Sequence, residues 1–226
     1  MPSVVLVRHA QGSFGGASYD VLSDTGHEQA IAVAAELQRR EVKVARVISG
    51  TLQRQIDTAA PIGAAFGLPV ATDERWNEYS SDGILEHHST TEFRIDQRDD
   101  HAVEMTSRDF QELLEAALNA WIGAGDDSRA TETHPSFVAR VRGALTDAAG
   151  GLGSGAAAVV STSGGPIAAI CSALLGAPPT SLVQFNRIVI NTGITKVAVG
   201  RAGMTLISFN EHAHLDGPAG RLLTYR

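Results

Sequence analysis

Val4-Val5-Leu6-Val7 is an unbroken apolar run cut off by Arg8-His9. Because it lacks alternation, neither face of the strand can be left to water. That is the signature of an inner strand in a mostly parallel sheet covered by helices on both sides. Val42–Ile48 and Ala156–Val160 are further strand candidates, and helical patterns separate them. Thr25-Gly26-His27-Glu28 has capping-box spacing before Ala30, Val33, Ala34 and Leu37 recur at helical period. Leu52–Phe66 reads as a second helix, with Ile56, Ala59, Ala60 and Gly63 on one face. Strands alternating with helices at these spacings predict an α/β fold, a three-layer α/β/α sandwich around a mostly parallel sheet.

From about 83 to 130 the buried-strand runs disappear and His, Asp, Glu and Arg become frequent. Phe110, Leu113, Leu114, Ala117, Leu118 and Trp121 fall on one helical face there, which predicts a helical insertion over one end of the sheet. Residues 1–226 are accordingly read as one domain with that insertion. A helix is expected over Pro135–Ala148 with Pro135 in its first turn, and an apolar helix from Ser163-Gly164-Gly165-Pro166 to Leu175. Thr195–Val199 and Met204–Phe209 predict a closing hairpin around Gly200–Gly203.

Lys and Arg number 18 against 25 Asp and Glu, a formal charge of −7. An acidic chain is poorly suited to non-specific nucleic-acid or anionic-membrane binding, and an anionic ligand needs locally gathered cations. One cysteine, Cys171, excludes an internal disulfide and a Cys-based zinc cluster. Val4–Val7 is too short for a signal peptide, and no apolar stretch is long enough to span a bilayer. A cytoplasmic location is expected.

Polar residues suited to phosphate follow three of the strands: Arg8-His9, Ser49 to Arg54, and Ser163-Gly164-Gly165. Open α/β sheets bind ligands outside the carboxyl ends of their strands. Two arginine forks from separate strands suit a clamp on a phosphoryl group, and the Gly-Gly-Pro turn offers helix-terminal N–H groups to an anion. A neutral His9 between them is placed to attack phosphorus. Each piece has a bland counterpart: a surface pair, a tight turn, a solvated helix face. Their common position at strand ends raises them above it.

These residues also carry a resemblance. Leu6-Val7-Arg8-His9-Ala10-Gln11 resembles the Arg-His-Gly signature of the histidine phosphatase superfamily, the phosphoglycerate mutase-like fold. Leu22-Ser23 with Gly26 and Gln29-Ala30, Ser49 with Leu52, Arg54 and Thr58-Ala59, and Asn77-Glu78-Tyr79 resemble its following blocks in order. Val159–Ile167 resembles the block that usually holds a second histidine, and Asn191 through Leu215 its final hairpin. The resemblance implies a phosphomonoester hydrolase working through a phosphohistidine on His9, without metal or organic cofactor. Arg8 and Arg54 would hold the phosphoryl oxygens, with Gln11, Ser163 and Gly164 as further phosphate-binding residues and Glu78 as general acid and then base. The partner implied is a small phosphorylated metabolite.

Two residues depart from the pattern: Ala10 stands where glycine is usual, and Ser163 where the second histidine is usual. The Thr162-Ser163-Gly164-Gly165 form resembles a recurrent branch of the superfamily. Ser163 keeps open a non-catalytic phosphate-binding protein, and the fold a phosphoglycerate-type mutase, although Ala10-Gln11-Gly12-Ser13-Phe14 lacks the Glu-Ser-x-Trp-Asn run of mutases. A serine hydrolase using Ser163 and His214 is disfavoured because Ser161 occupies the first glycine position of the nucleophile elbow. The pair His27-Glu28 begins a zinc-helix motif, but Ile31 stands at the second ligand position. His87, His88 and His101 read as solvated, and His212 with His214 lack a third metal ligand. Cys171 reads as core, while His214 is a candidate to assist near the pocket in place of the missing imidazole. Phe14, Trp76, Tyr79 and Phe93 are read either as pocket lining or as core.

Overall fold

A computed structural model of the chain describes residues 1–13, 20–89 and 107–225. Contacts divide the chain into two compact units, residues 1–78 with 140–226, and residues 79–139.

The first unit is built on a six-stranded sheet. Its strands are β1 (Ser3–Arg8), β2 (Lys43–Ser49), β3 (Val70–Thr72), β4 (Ala156–Thr162), β5 (Ile194–Gly200) and β6 (Gly203–Glu211), in the order β3-β2-β4-β1-β5-β6. The pairs β2–β3, β2–β4 and β1–β4 are parallel, whereas β5 runs antiparallel to both β1 and β6. The α/β fold and the closing hairpin expected from the sequence are therefore present.

Burial explains the continuous apolar run. Val5 and Val7 pack with Val33, Leu37, Ala59 and Ile62 from the two helices α1 (Asp24–Arg39) and α2 (Gln53–Phe66). Side chains alternate along a strand, so Val4 and Leu6 point to the opposite face, and both are fully buried too. The remaining helices of this unit are the second part of α5 (His134–Ala149), α6 (Gly164–Leu174) and α7 (Ser181–Ile188). Ile167, Ala168, Ile170 and Cys171 of α6 are all buried.

The N-terminus of α1 differs from expectation. Ser23, two residues before Thr25, is the N-cap: its side chain accepts the Gly26 N–H at 3.0 Å. The reason is the loop after β1. Ser23 N–H donates to the Gln11 carbonyl at 3.0 Å, which holds Ser23 extended and starts the helix at Asp24. The approach is so close that a Cβ on Gly26 would lie 2.2 Å from the Gln11 carbonyl oxygen.

The second unit contains α3 (Ser81–His88), α4 (Ser107–Ala124) and the start of α5. Tyr79 packs against Trp121 and Phe137 with ring centroids 5.7 Å from each, and Trp121 donates its indole N–H to the Glu132 carbonyl at 2.8 Å. Tyr79 is therefore a core residue of this unit, and Trp76 is fully buried in the first. Phe14, Phe93 and His101 lie outside the described residues, as does the side chain of Phe110. Among the described residues no helix is long and apolar enough to cross a membrane.

Candidate active site

The carboxyl ends of β1 and β4 are neighbours in register, Arg8 opposite Thr162. His9 follows directly, its backbone N–H donating to the Thr162 carbonyl at 2.7 Å. The imidazole is 4% exposed. Its Nδ1 lies 2.7 Å from the Ala10 carbonyl, and since a carbonyl can only accept, the proton sits on Nδ1. Nε2 is left with its lone pair and accepts Arg54 Nε–H at 3.1 Å. Burial, then the charges of Arg8 and Arg54, hold the His9 pKa well below the usual histidine value, against a smaller opposing effect of the Ala10 hydrogen bond. The ring is neutral, with the lone pair of Nε2 directed at a cation.

Arg54 sits in the first turn of α2 and also pairs with Asp20, Nη1 to Oδ1 at 2.6 Å. The Asp20 carboxylate additionally accepts the Gln53 N–H at 2.8 Å, so it acts as an external cap on α2, where the N-cap position is held by Leu52. Arg8 donates through Nη1 to the carbonyls of Val189 and Tyr225.

The third contribution comes from the β4–α6 turn. Thr162 accepts the His9 N–H through its carbonyl, and a Cβ on Gly164 would lie 3.9 Å from Arg8 Nε, so the residues on either side of Ser163 adjoin His9 and Arg8. The same hypothetical Cβ would lie 2.2 Å from Asn186 Oδ1, so only glycine fits beneath that amide. Ser163 is fully buried, and its Oγ accepts Gln55 Nε2–H at 2.8 Å. Gln55 Nε2 also donates to the Trp76 carbonyl at 3.2 Å, and Oε1 accepts the Leu52 N–H at 3.3 Å. The Gly165 N–H donates to Glu78 Oε2 at 3.1 Å, so the helix-terminal group expected to face an anion already faces the Glu78 carboxylate.

Arg8, His9, Arg54, Glu78, Ser163 and Gly164 thus gather around the ends of β1, β2 and β4. Gln11 is engaged differently: its Oε1 accepts the Ser23 hydroxyl at 2.8 Å, tying it to the N-cap of α1. His214 Nε2 pairs with Thr192 Oγ1 at 3.3 Å rather than with any of these side chains. Among the described residues no histidine hydrogen-bonds Ser163, which removes the base a serine hydrolase needs. His212 pairs with the Asn210 carbonyl and His88 with Ser128. Cys171 is buried with its thiol pushed up to about 12, an unreactive core group. Among the described residues no group of three or more His, Cys, Asp or Glu side chains is arranged to hold a metal. Gln55, Asp20 and Asn186 escaped the sequence reading. Their signal was available only as polar residues next to motif positions.

Residues 4–212 match the model of the histidine phosphatase superfamily, branch 1. A curated relative, glucosyl-3-phosphoglycerate phosphatase of Mycolicibacterium vanbaalenii, is 31% identical over 183 residues, 77% of this chain and 75% of the relative. The native structure of a mycobacterial glucosyl-3-phosphoglycerate phosphatase superposes with a TM-score of 0.64 at 24% identity, covering 93% of this chain and 99% of the other. A phosphoserine phosphatase mutant of Entamoeba histolytica in complex with phosphoserine gives 0.65 at 22% identity, covering 95% and 100%.

Proposed function

Since the chain belongs to branch 1 of the histidine phosphatase superfamily and is a phosphatase, we propose that it hydrolyses a small phosphorylated metabolite through a phosphohistidine on His9. The observation that carries this reading is the state of the His9 ring: proton held on Nδ1, lone pair on Nε2, charged form disfavoured by burial and two arginines. That is the form a nucleophilic imidazole must have.

In the reaction, the phosphoryl group draws the Arg54 guanidinium off Nε2, and Arg8 and Arg54 hold the phosphoryl oxygens. Nε2 bonds to phosphorus as the bond to the leaving oxygen breaks, and Glu78 gives that oxygen a proton. Water then attacks the phosphohistidine while Glu78 takes a proton, and phosphate leaves with His9 restored. Ser163 offers a hydroxyl but no charge, which favours monoesters of low charge over polyphosphorylated substrates.

The test is a rapid-quench trap with a labelled phosphomonoester. Label stable to base and lost on acid treatment should appear on the wild type and be absent from His9→Ala. Wild type that neither labels nor releases phosphate rules the reading out and leaves a phosphate-binding protein. Label passed to a second hydroxyl instead of water identifies a mutase. A panel holding glucosyl-3-phosphoglycerate, phosphoserine and 3-phosphoglycerate, ranked by kcat/KM, then assigns the substrate.

A further inference from the structure

The peptide run His9-Ala10-Gln11 is gripped at both ends by one chain of side chains, two of them fully buried and the linking Thr224 half-buried. Gln29, fully buried on α1, accepts the Gln11 N–H through Oε1 at 2.8 Å. Its Nε2 donates both protons, to the Leu222 carbonyl at 2.6 Å and to Thr224 Oγ1 at 2.7 Å. The Leu222 carbonyl can only accept, so the orientation of the Gln29 amide is fixed. Thr224 Oγ1, having accepted from Gln29, gives its single proton to Asn191 Oδ1 at 3.0 Å. Asn191, also fully buried, then has Nδ2 to donate to the His9 carbonyl at 3.0 Å. The Asn191 N–H returns to the Thr224 carbonyl at 3.0 Å, and Arg8 Nη1 donates to the carbonyl of the next residue, Tyr225, at 2.8 Å.

Each link in this chain has one polarity, imposed by backbone groups at its ends. Reversing or deleting any member leaves a buried donor or acceptor unmatched, and the strain falls on the carbonyl of His9 or the amide of Gln11. Residues 222–225 belong to none of the motifs read from the sequence, yet they reach the His9 carbonyl through Asn191 and accept directly from the Arg8 guanidinium. We propose that Thr224 is a positioning residue for His9, transmitting through Asn191 the placement that aims Nε2 at phosphorus. This rests on His9 being the nucleophile, as proposed above. Attack geometry is steep in distance, and a displacement of about 1 Å costs up to about a hundredfold in rate.

The experiment compares Thr224→Val, which keeps the shape and deletes the hydroxyl, with Thr224→Ser, which keeps the hydroxyl. Both are read by single-turnover formation of phosphohistidine and by steady-state kinetics on p-nitrophenyl phosphate. Thr224→Val should phosphorylate His9 about tenfold or more slowly with KM within about twofold, and Thr224→Ser should stay within about twofold of wild type. In an Asn191→Ala background, where the chain is already cut, Thr224→Val should add no further loss. If Thr224→Val does not fold, Asn191→Ala carries the same expectation one link nearer His9. A folded Thr224→Val that phosphorylates at the wild-type rate overturns the assignment. So does Thr224→Ser slowed as much as Thr224→Val, or a loss undiminished in the Asn191→Ala background. A wild type that forms no phosphohistidine overturns the proposed function instead.

Discussion

Glu78 and Gly165 are joined by a 3.1 Å hydrogen bond from the glycine N–H to Oε2 of the carboxylate. The bond sets a carboxylate, the proposed general acid and base, at the N-terminus of α6, one residue beyond Gly164, whose Cβ position would lie 3.9 Å from Arg8 Nε. Glu78→Gln keeps an acceptor for Gly165 and so keeps the fold, but it cannot deliver a proton to a leaving oxygen. Expected is a loss of about 10²- to 10⁴-fold in kcat/KM for alkyl phosphates and a small loss for aryl phosphates whose leaving groups need no protonation. A leaving-group series on both enzymes checks it. Equal losses across the series would assign Glu78 a structural part only.

The His9 environment predicts the acid side of the pH–rate profile. Burial and the two arginines hold its pKa well below 6.5, so activity stays level as pH falls through 6.5 and declines only lower, where the imidazole gains its proton. Replacing Arg54 by Met removes one of the charges that disfavour the protonated ring. The limb in kcat/KM should then move upward toward 6.5 while the rate itself falls. A limb that stays put would separate Arg54 from the titration of His9.

Asp20 occupies Arg54 in a way a phosphoryl group would also use: Oδ1 on the guanidinium at 2.6 Å and Oδ2 on the first N–H of α2 at 2.8 Å. On the proposed reading, in which Arg54 holds the phosphoryl group, the carboxylate competes with the anion for it. Asp20→Asn keeps a capping oxygen and removes the charge. Inorganic phosphate should inhibit that variant more tightly by about fivefold, equivalent to about 1 kcal/mol, and the gain should shrink with added salt. Inhibition constants at two ionic strengths decide the matter.

Which of these residues announced themselves depends on how far their partners lie along the chain. Arg8, His9, Arg54 and the Ser163 turn were singled out because each lies at or within a few residues of the carboxyl end of a strand, and strand ends are set by local pattern. Cys171 was legible as core from the apolar helix that follows Pro166. The Ser23 cap was misplaced to Thr25 because both residues suit a cap. The choice was made by the Gln11 carbonyl, 12 residues away, a pairing that no local window contains. Gln29 meets Leu222 across 193 residues and Gln55 meets Ser163 across 108. The short strand β3 was missed because three residues carry no period, and α7 because its eight residues follow a Pro-Pro pair that reads as loop.

The Gln55–Ser163 bond gives the uncharged turn a defined polarity. The Gln55 amide is oriented by two backbone groups, so Ser163 Oγ must accept from it, and among the described residues the hydroxyl proton has no other acceptor. On the proposed reading that proton is donated to a phosphoryl oxygen. Ser163→Ala should cost about 0.5–1.5 kcal/mol in transition-state stabilisation, about two- to tenfold in kcat/KM, the worth of one neutral hydrogen bond. Gln55→Leu should cost about as much, and the double variant no more than either alone. Additive losses would show that the two side chains act independently.

His214 predicts a stability change separable from catalysis. It donates through Nε2 to Thr192 Oγ1, and its Nδ1 is buried with no hydrogen-bond partner among the described residues. Burial, against the opposing pull of Glu36, pushes its pKa from 6.5 to about 4. The unfolded chain takes up this proton near 6.5 and the folded one only near 4, so between those values the unfolded state binds more protons. Stability is complete above 6.5 and falls as pH drops through the window, by roughly 3 kcal/mol from this residue. His214→Gln keeps a donor for Thr192 and has no such equilibrium. Its urea midpoint should fall less steeply than that of wild type between pH 6.5 and 4, with kcat at pH 7.5 retained. Parallel midpoints over that range would mean that His214 is not held neutral by the fold.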